Sequence, residues 1–264
     1  MKKIIYPKGL GIKPGRKHCQ RCAKCATCDK CPDHQSRFEA LKEKPSFAPV
    51  LQNMSEFSGC GIACKALRKG FQLLLPIYTE PYFTARLMKI ITVIKKHDIE
   101  GKHGKRSILF SGAHSLLHSF VFSKKDRMKE TLSYQCDASH TASRTEATIK
   151  INDFDHLWLY LSTTATHFRV LNHLSVISDY LFNEESGRYE PSNALDGASA
   201  YVYSDYTTVY KPLPVELTVR FPEGTIVGDD CTVLQCIGIE FYFPSGKEFV
   251  LCGKGNSLTI KDVF

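Results

Sequence analysis

The hydrophobic period changes partway along this chain, and that change limits the folds it can adopt. Up to about residue 122 the apolar residues recur at helical spacing. Ser55 is placed to cap a helix over Glu56–Leu75, with Phe57, Cys60, Ile62, Cys64, Leu67 and Phe71 as its stripe. A second amphipathic helix is predicted over Tyr82–His97, its stripe including Leu87, Ile91 and Ile94, with Arg86, Lys89, Lys95 and Lys96 turned outward. A short polar helix is expected near Ser36–Lys44, the Pro45–Pro49 stretch reads as a break, and Ser107–Phe122 reads as a third helix running into a strand. The charged run Ser123–Glu130 is a connector. Beyond it, Ala147–Asn152, His167–Phe182, Ala200–Tyr210, Val215–Phe221, Val233–Phe243, Glu248–Cys252 and Ser257–Val263 are rich in β-branched and aromatic residues. Val215, Leu217, Val219 and Phe221 alternate with polar neighbours, and Glu184–Gly187 and Pro244–Lys247 have the composition of hairpin turns. Antiparallel strands without intervening helices point to a sandwich, jelly-roll or Ig-like. The expected fold class is therefore α+β: a Cys-rich segment over 1–44, two or three helices over 45–131, and an antiparallel β-sandwich over 132–264.

The most chemically specific feature lies in the first segment. Cys19, Cys22, Cys25, Cys28 and Cys31 form four overlapping C-x-x-C units, a spacing that lets thiolates chelate one soft cation from a tight turn. This segment has too few large apolar residues to form a core unaided, so a metal, or a neighbour, would have to order it. Four ligands suffice for tetrahedral zinc, and Cys60 and Cys64, four apart on a predicted helix, would present two more thiolates on one face. The expected metal ligands are thus Cys19, Cys22, Cys25, Cys28, Cys31, Cys60 and Cys64, stapling the coreless segment to the helices around zinc. An iron–sulfur cluster is the alternative: Cys22, Cys25, Cys28 and Cys31 followed by Pro32 approximate a ferredoxin run, but with a last gap of two residues instead of three. Cys136, Cys231, Cys236 and Cys252 are irregularly spaced and read as packing residues.

Charge is divided as sharply as the period. Residues 1–131 carry 26 Lys and Arg against 10 Asp and Glu, whereas residues 132–264 carry 9 against 17. This suggests either a polyanionic partner for the first half or contacts between unlike halves of neighbouring copies. Lys13, Arg16, Lys17, Arg21, Lys24 and Lys30 interleave with the cysteines and are the candidate nucleic-acid contacts. With Tyr6 the only aromatic residue before Phe38, they would bind phosphates rather than read bases. No segment approaches the ~18 apolar residues of a membrane span, and Met1–Lys17 lacks the apolar run of a secretory signal, so a cytoplasmic protein is expected.

Catalytic patterns do not emerge. His114 and His118 stand four apart without the acidic residue of a zinc-protease helix and read as partly buried histidines. Gly9–Gly11 and Gly253–Gly255 lack the flanking strand and helix of a phosphate loop, and Asp153/Asp155 and Asp229/Asp230 read as solvated loop acids. Ser55–Phe71, Thr84–Lys96, the THFRV strand Thr166–Val170 and the stretch Val233–Val263 resemble an uncharacterised family of Bacteroidetes proteins of similar length, over about residues 45–264. The resemblance brings no function, and the cysteine run departs from it, relatives having a glycine-rich, strand-like segment there. The expected function is a non-enzymatic structural protein that assembles with copies of itself, as a shell, fibre or virion-like component. A zinc-dependent nucleic-acid-binding protein and an iron–sulfur electron carrier are the alternatives.

Overall fold

The computed structural model describes residues 42–124, 136–154 and 165–264. The cysteine run, the six candidate nucleic-acid contacts, Asp155, residues 36–41 of the first expected helix and most of the Ser123–Glu130 connector lie outside the described residues. The chain divides into two units, Met1–Leu51 and Gln52–Phe264.

Helix α1 spans Ala48–Gly70, beginning well before the expected Glu56. Pro49 falls in its first turn, where the N–H that proline lacks would have no helical partner, so the proline stretch opens the helix instead of breaking it. Ser55 accordingly lies inside the helix rather than capping it. The helix also stops earlier than expected, at Gly70, because the backbone there runs against the sheet. A Cβ on Gly70 would lie 2.0 Å from Ser175 Oγ, and the Gly70 carbonyl accepts a hydrogen bond from His173 Nε2 at 3.0 Å. A single turn, α2 (Leu75–Tyr78), leads to α3 (Phe83–Lys96), which matches its expected bounds to within a residue at each end. Phe83, Leu87, Ile91 and Ile94 are buried as the stripe requires. Two of the four cations expected to face outward do not: Lys95 is buried, and Arg86 donates to the carbonyls of Val121 and Phe122, both at 2.8 Å.

The expected third helix is largely absent. Only Phe110–Ala113 is α-helical (α4), and a 3-10 turn follows at His114–Leu117. Residues 119–122 then run along the last strand, β11 (Ser257–Val263), exchanging Ser119 N to Ile260 O, Ile260 N to Phe120 O and Phe122 N to Leu258 O at 3.0–3.1 Å. Those bonds engage the backbone groups that a helix would need.

The remaining strands are β1 (Cys136–His140), β2 (Glu146–Ile151), β3 (His167–Ser178), β4 (Tyr180–Asn183), β5 (Arg188–Pro191), β6 (Ser199–Tyr203), β7 (Thr207–Thr208), β8 (Val215–Arg220), β9 (Cys231–Ser245) and β10 (Glu248–Leu251). The expected strand His167–Phe182 is thus two strands, β3 and β4, Ala200–Tyr210 is β6 and β7, and β1 and β5 lie outside the expected strands. Pairing is antiparallel throughout. The central seam joins β3 to β9, from His167↔Tyr242 to Ser178↔Cys231; β6 and β7 line the other edge of β3, while β10 and β11 share the other edge of β9. Strands β1, β2 and β8 form a separate three-stranded sheet, and β4 and β5 form a hairpin. The protein is therefore α+β, with a predominantly antiparallel β region.

Burial on both sides explains why β3 and β9 do not alternate between apolar and polar residues. One face of the seam, with Leu171, Ile177, Leu234 and Cys236, packs with Cys60, Leu67, Leu87 and Ile91 of the helices in one core. The opposite face, with Phe168, Val170, Ile237, Ile239 and Phe241, packs against Ile149, Ile151 and Val215 of the small sheet. Asn172 Nδ2 reaches across this second interface to the carbonyls of Ala147 and Leu217, at 3.0 and 2.9 Å, and fixes one sheet on the other through groups that would otherwise be costly to bury.

Candidate functional site

A charged residue in the middle of a strand buried on both faces demands partners. Glu240 of β9 is such a residue, fully buried, and its cross-strand neighbour is Arg169 of β3. Arg169 Nε donates to Glu240 Oε2 at 2.8 Å and Nη2 forms an ion pair with the same oxygen at 2.8 Å, a charge-assisted contact of guanidinium and carboxylate. Tyr242, two residues along β9, donates to the same oxygen. Glu240 Oε1 accepts from Tyr78 at 2.8 Å and from Tyr203 of β6 at 3.0 Å. Tyr78 reaches this position because α2 crosses β9 at Gly238, where a Cβ would lie 3.2 Å from its hydroxyl and 3.1 Å from Leu258 Cδ1.

Burial, reinforced by the Glu240 charge, raises Tyr78, Tyr203 and Tyr242 well above the ordinary phenol range, so all three stay protonated donors. Burial opposes the charge of Arg169, but the bonds to Glu240 outweigh it and the guanidinium is held ionised more firmly than usual. Four donated hydrogen bonds, from Tyr78 and Tyr203 to Oε1 and from Arg169 and Tyr242 to Oε2, occupy the two oxygens of Glu240. The carboxylate is thereby an anchor in this arrangement, with no lone pair directed at a substrate.

What the anchor holds in place is a surface of rings. Arg169 lies 3.6 Å over Tyr203, and within 5.2 and 5.6 Å of Tyr242 and Tyr206. Tyr201 meets Tyr203 edge-on at 5.8 Å, Tyr206 stacks on Phe249 at 4.5 Å, and Phe249 lies 4.5 Å from His167. Tyr201, Tyr206 and Phe249 are each between a third and a half exposed. The rings therefore form a continuous strip along one end of the sheet, rigid at its centre and open to solvent at its rim.

A second buried carboxylate sits in the helical layer. Glu56 of α1 bonds Lys95 of α3, Arg106 Nε and Nη2, both at 2.8 Å, and the Gly104 N–H, also at 2.8 Å. Burial alone would raise its pKa. Arg106, Lys95 and Gly104 together overcome that and hold it at about 2.

The residues singled out by the sequence reading fall into three groups. Cys60 and Cys64 do share one face of α1, and both sulfurs are enclosed in the helix–sheet core, where burial pushes Cys64 up to about 11 and raises Cys60 as well. Cys136, Cys231, Cys236 and Cys252 are buried packing residues, as expected. His114 and His118 are exposed instead of partly buried; His114 opens the 3-10 turn and His118 follows it, and they bond locally, to the Ser111 carbonyl at 3.0 Å and to Ser119 Oγ at 2.9 Å. Asp229 is fully exposed beside Arg144 at 3.6 Å, and Asp230 bonds Asn193. Among the described residues no group of three or more His, Cys, Asp and Glu side chains converges to hold a metal ion, and no helix is long and apolar enough to cross a membrane. The Glu240 centre is not among the sequence-predicted sites; its visible signal in the sequence is Arg169 and Glu240, charges set in apolar strand segments. No protein family, curated protein or solved structure matches this chain.

Proposed function

We propose that this is a non-enzymatic structural protein that assembles with copies of itself, with the ring strip around Arg169 as a contact surface. The observation that carries the reading is the strip itself: Tyr201, Tyr206 and Phe249 exposed in series on a support fixed by Glu240. Preformed aromatic surface loses little conformational freedom on association and is the residue class enriched in interface centres. The opposite charges of the two halves favour contact between unlike surfaces of neighbouring copies. The β region is read as a two-sheet sandwich, a scaffold suited to a shell or fibre component. The first segment is read as organised by zinc on its own thiolates, with an iron–sulfur cluster as the alternative that visible absorbance would reveal.

Sedimentation velocity over a range of concentrations tests assembly. The wild type is expected to associate and the Tyr206→Ser/Phe249→Ser variant to associate more weakly; a wild type that stays monomeric throughout would sink the reading. Elemental analysis of anaerobically purified protein tests the metal, and the Cys60→Ser/Cys64→Ser variant reports separately whether the helix pair contributes.

A second reading, phosphate-backbone binding to nucleic acid, draws on the 11 Lys and Arg against 4 Asp and Glu among residues 52–124. It predicts oligonucleotide retention that falls steeply with salt, and its absence at low salt would remove this reading.

A further inference from the structure

Two hollows of about 480 and 630 Å³ run along the outer side of α1, and Ile62 lines both. They are bordered by Lys65, Arg68 and Lys69 of the helix and by Arg188 of the β4–β5 hairpin. Among the described residues none of these four cations has an ion-pair partner. The one carboxylate in the lining, Asp196, is already engaged by Tyr180 OH and by the Ser178 N–H and hydroxyl. Ile62 and Leu75 add apolar surface. The groove is thus a channel with an apolar floor and four cations against one carboxylate, Asp196, whose oxygens are already engaged by neutral donors.

The complementary shape is present on the same chain. The loop Pro222–Asp230 projects Ile226, 83% exposed, between the acids Glu223 and Asp229. Such an exposed aliphatic residue is ordinarily tolerated on a flexible tip, yet this loop is pinned. Arg144 donates to the carbonyls of Val227, Gly228 and Cys231 at 3.0, 2.8 and 2.9 Å, and Thr225 closes a turn onto the Pro222 carbonyl at 2.6 Å. The apolar tip is therefore held in a fixed presentation, which lowers the entropy cost of docking it.

We infer that the α1 groove receives the Pro222–Asp230 loop of a second copy of this chain, with Ile226 against Ile62 and Leu75 and the acids of the loop among Lys65, Arg68 and Lys69. The inference rests on the self-assembly reading and names one of its contacts. Groove and loop lie beside the same corner of the fold: Asp196 bonds Ser178 and Tyr180, while the Asp230 carbonyl accepts from the Asp179 N–H at 2.8 Å. A single two-fold contact then seats both loops at once, and a closed pair forms. The ring strip is left free for contacts between pairs.

The test uses the full chain, the exposed-site variants Lys65→Glu/Arg68→Glu/Lys69→Glu and Glu223→Lys/Asp229→Lys, and Ile226→Ser. Sedimentation velocity is run at about 50 and 500 mM salt, which brackets strong and weak screening of exposed charges. The wild type is expected to pair at low salt and to weaken at high salt. Each charge variant should raise the dissociation constant by about tenfold or more, Ile226→Ser should weaken pairing at both salts, and an equimolar mixture of the two charge variants should restore mixed pairs. Thermal unfolding equal to wild type confirms that the variants are folded. A groove variant that pairs like the wild type overturns this contact and leaves self-assembly standing, whereas a wild type monomeric under all conditions overturns both. If wild-type pairing is unaffected and the groove variant instead loses retention of a single-stranded oligonucleotide, the occupant is a phosphate backbone and the loop assignment is wrong.

Discussion

Two fully buried carboxylates hold this molecule together, and they are neutralised by different means. Glu56 is surrounded by two full cations, Lys95 and Arg106, and a backbone N–H. Glu240 has one guanidinium and three phenols. The first arrangement spends all its partners on tying α1 to α3 and to the loop around Gly104. The second binds its partners by their polar ends and leaves ring surface facing outward. Burial of a carboxylate alone therefore says little about role; what matters is whether its donors carry exposed surface of their own. On that basis the Glu56 cluster is a clamp and the Glu240 centre is the support of a surface.

Removing each carboxylate should separate the two roles. Glu56→Ala leaves Lys95 buried without a counter-charge and is expected to cost about 3–5 kcal/mol in denaturant unfolding, with self-association of the folded fraction unchanged. Glu240→Gln should cost about 2–3 kcal/mol, since Arg169 is partly solvated and an amide keeps an acceptor for the phenols, but it should also weaken association by loosening the strip. Equal effects on association would erase the distinction. Acid provides a third comparison. Glu56 is depressed from 4.5 to about 2, so the stability it contributes is complete above about pH 4.5 and is lost as pH falls toward 2. His173, on the same face of β3 as Arg169, is lowered by burial from 6.5 to about 4, only partly offset by its bond to Gly70. The unfolded chain binds the proton first, so stability declines by about 3 kcal/mol as pH drops from 6.5 to 4 and then levels off for this group. His173→Gln should abolish that upper step and retain the lower one. The smallest effect is expected for Tyr203→Phe, about 1 kcal/mol, because its ring remains and only one of the four donors to Glu240 is lost.

Legibility followed how local each determinant is. Helix α3 was readable because its stripe is uninterrupted, and β8 because Val215, Leu217 and Val219 alternate with Glu216, Thr218 and Arg220. The start of α1 is not legible from composition, because a proline stretch signals a break unless, like Pro49, it falls in a helix's first turn. Ser107–Phe122 differs from expectation because its apolar residues fit a helix, while the bonds that decide its form come from β11 near the other end of the chain. The burial of Lys95 could not be seen locally either, since its reason is Glu56, an element away. For the Glu240 centre, the two charged residues stood out in their strands. Tyr78 did not, because its place depends on the gap left by Gly238 and on how α2 crosses the sheet.

The β3–β9 seam also has a kinetic consequence. Its nearest rung joins positions 178 and 231, which are 53 residues apart, and its farthest joins 167 and 242, which are 75 apart. No tight turn nucleates this pairing, and the chain must close a long loop before any of its rungs forms. Until then two strands with apolar side chains on both faces remain without their main partner, the condition in which chains associate wrongly. Refolding yield should accordingly fall as protein concentration rises, even where the native state is stable. The locally closed hairpins, β4–β5 through Asn183 and Gly187, β1–β2 and β9–β10, are the parts of the β region able to form early.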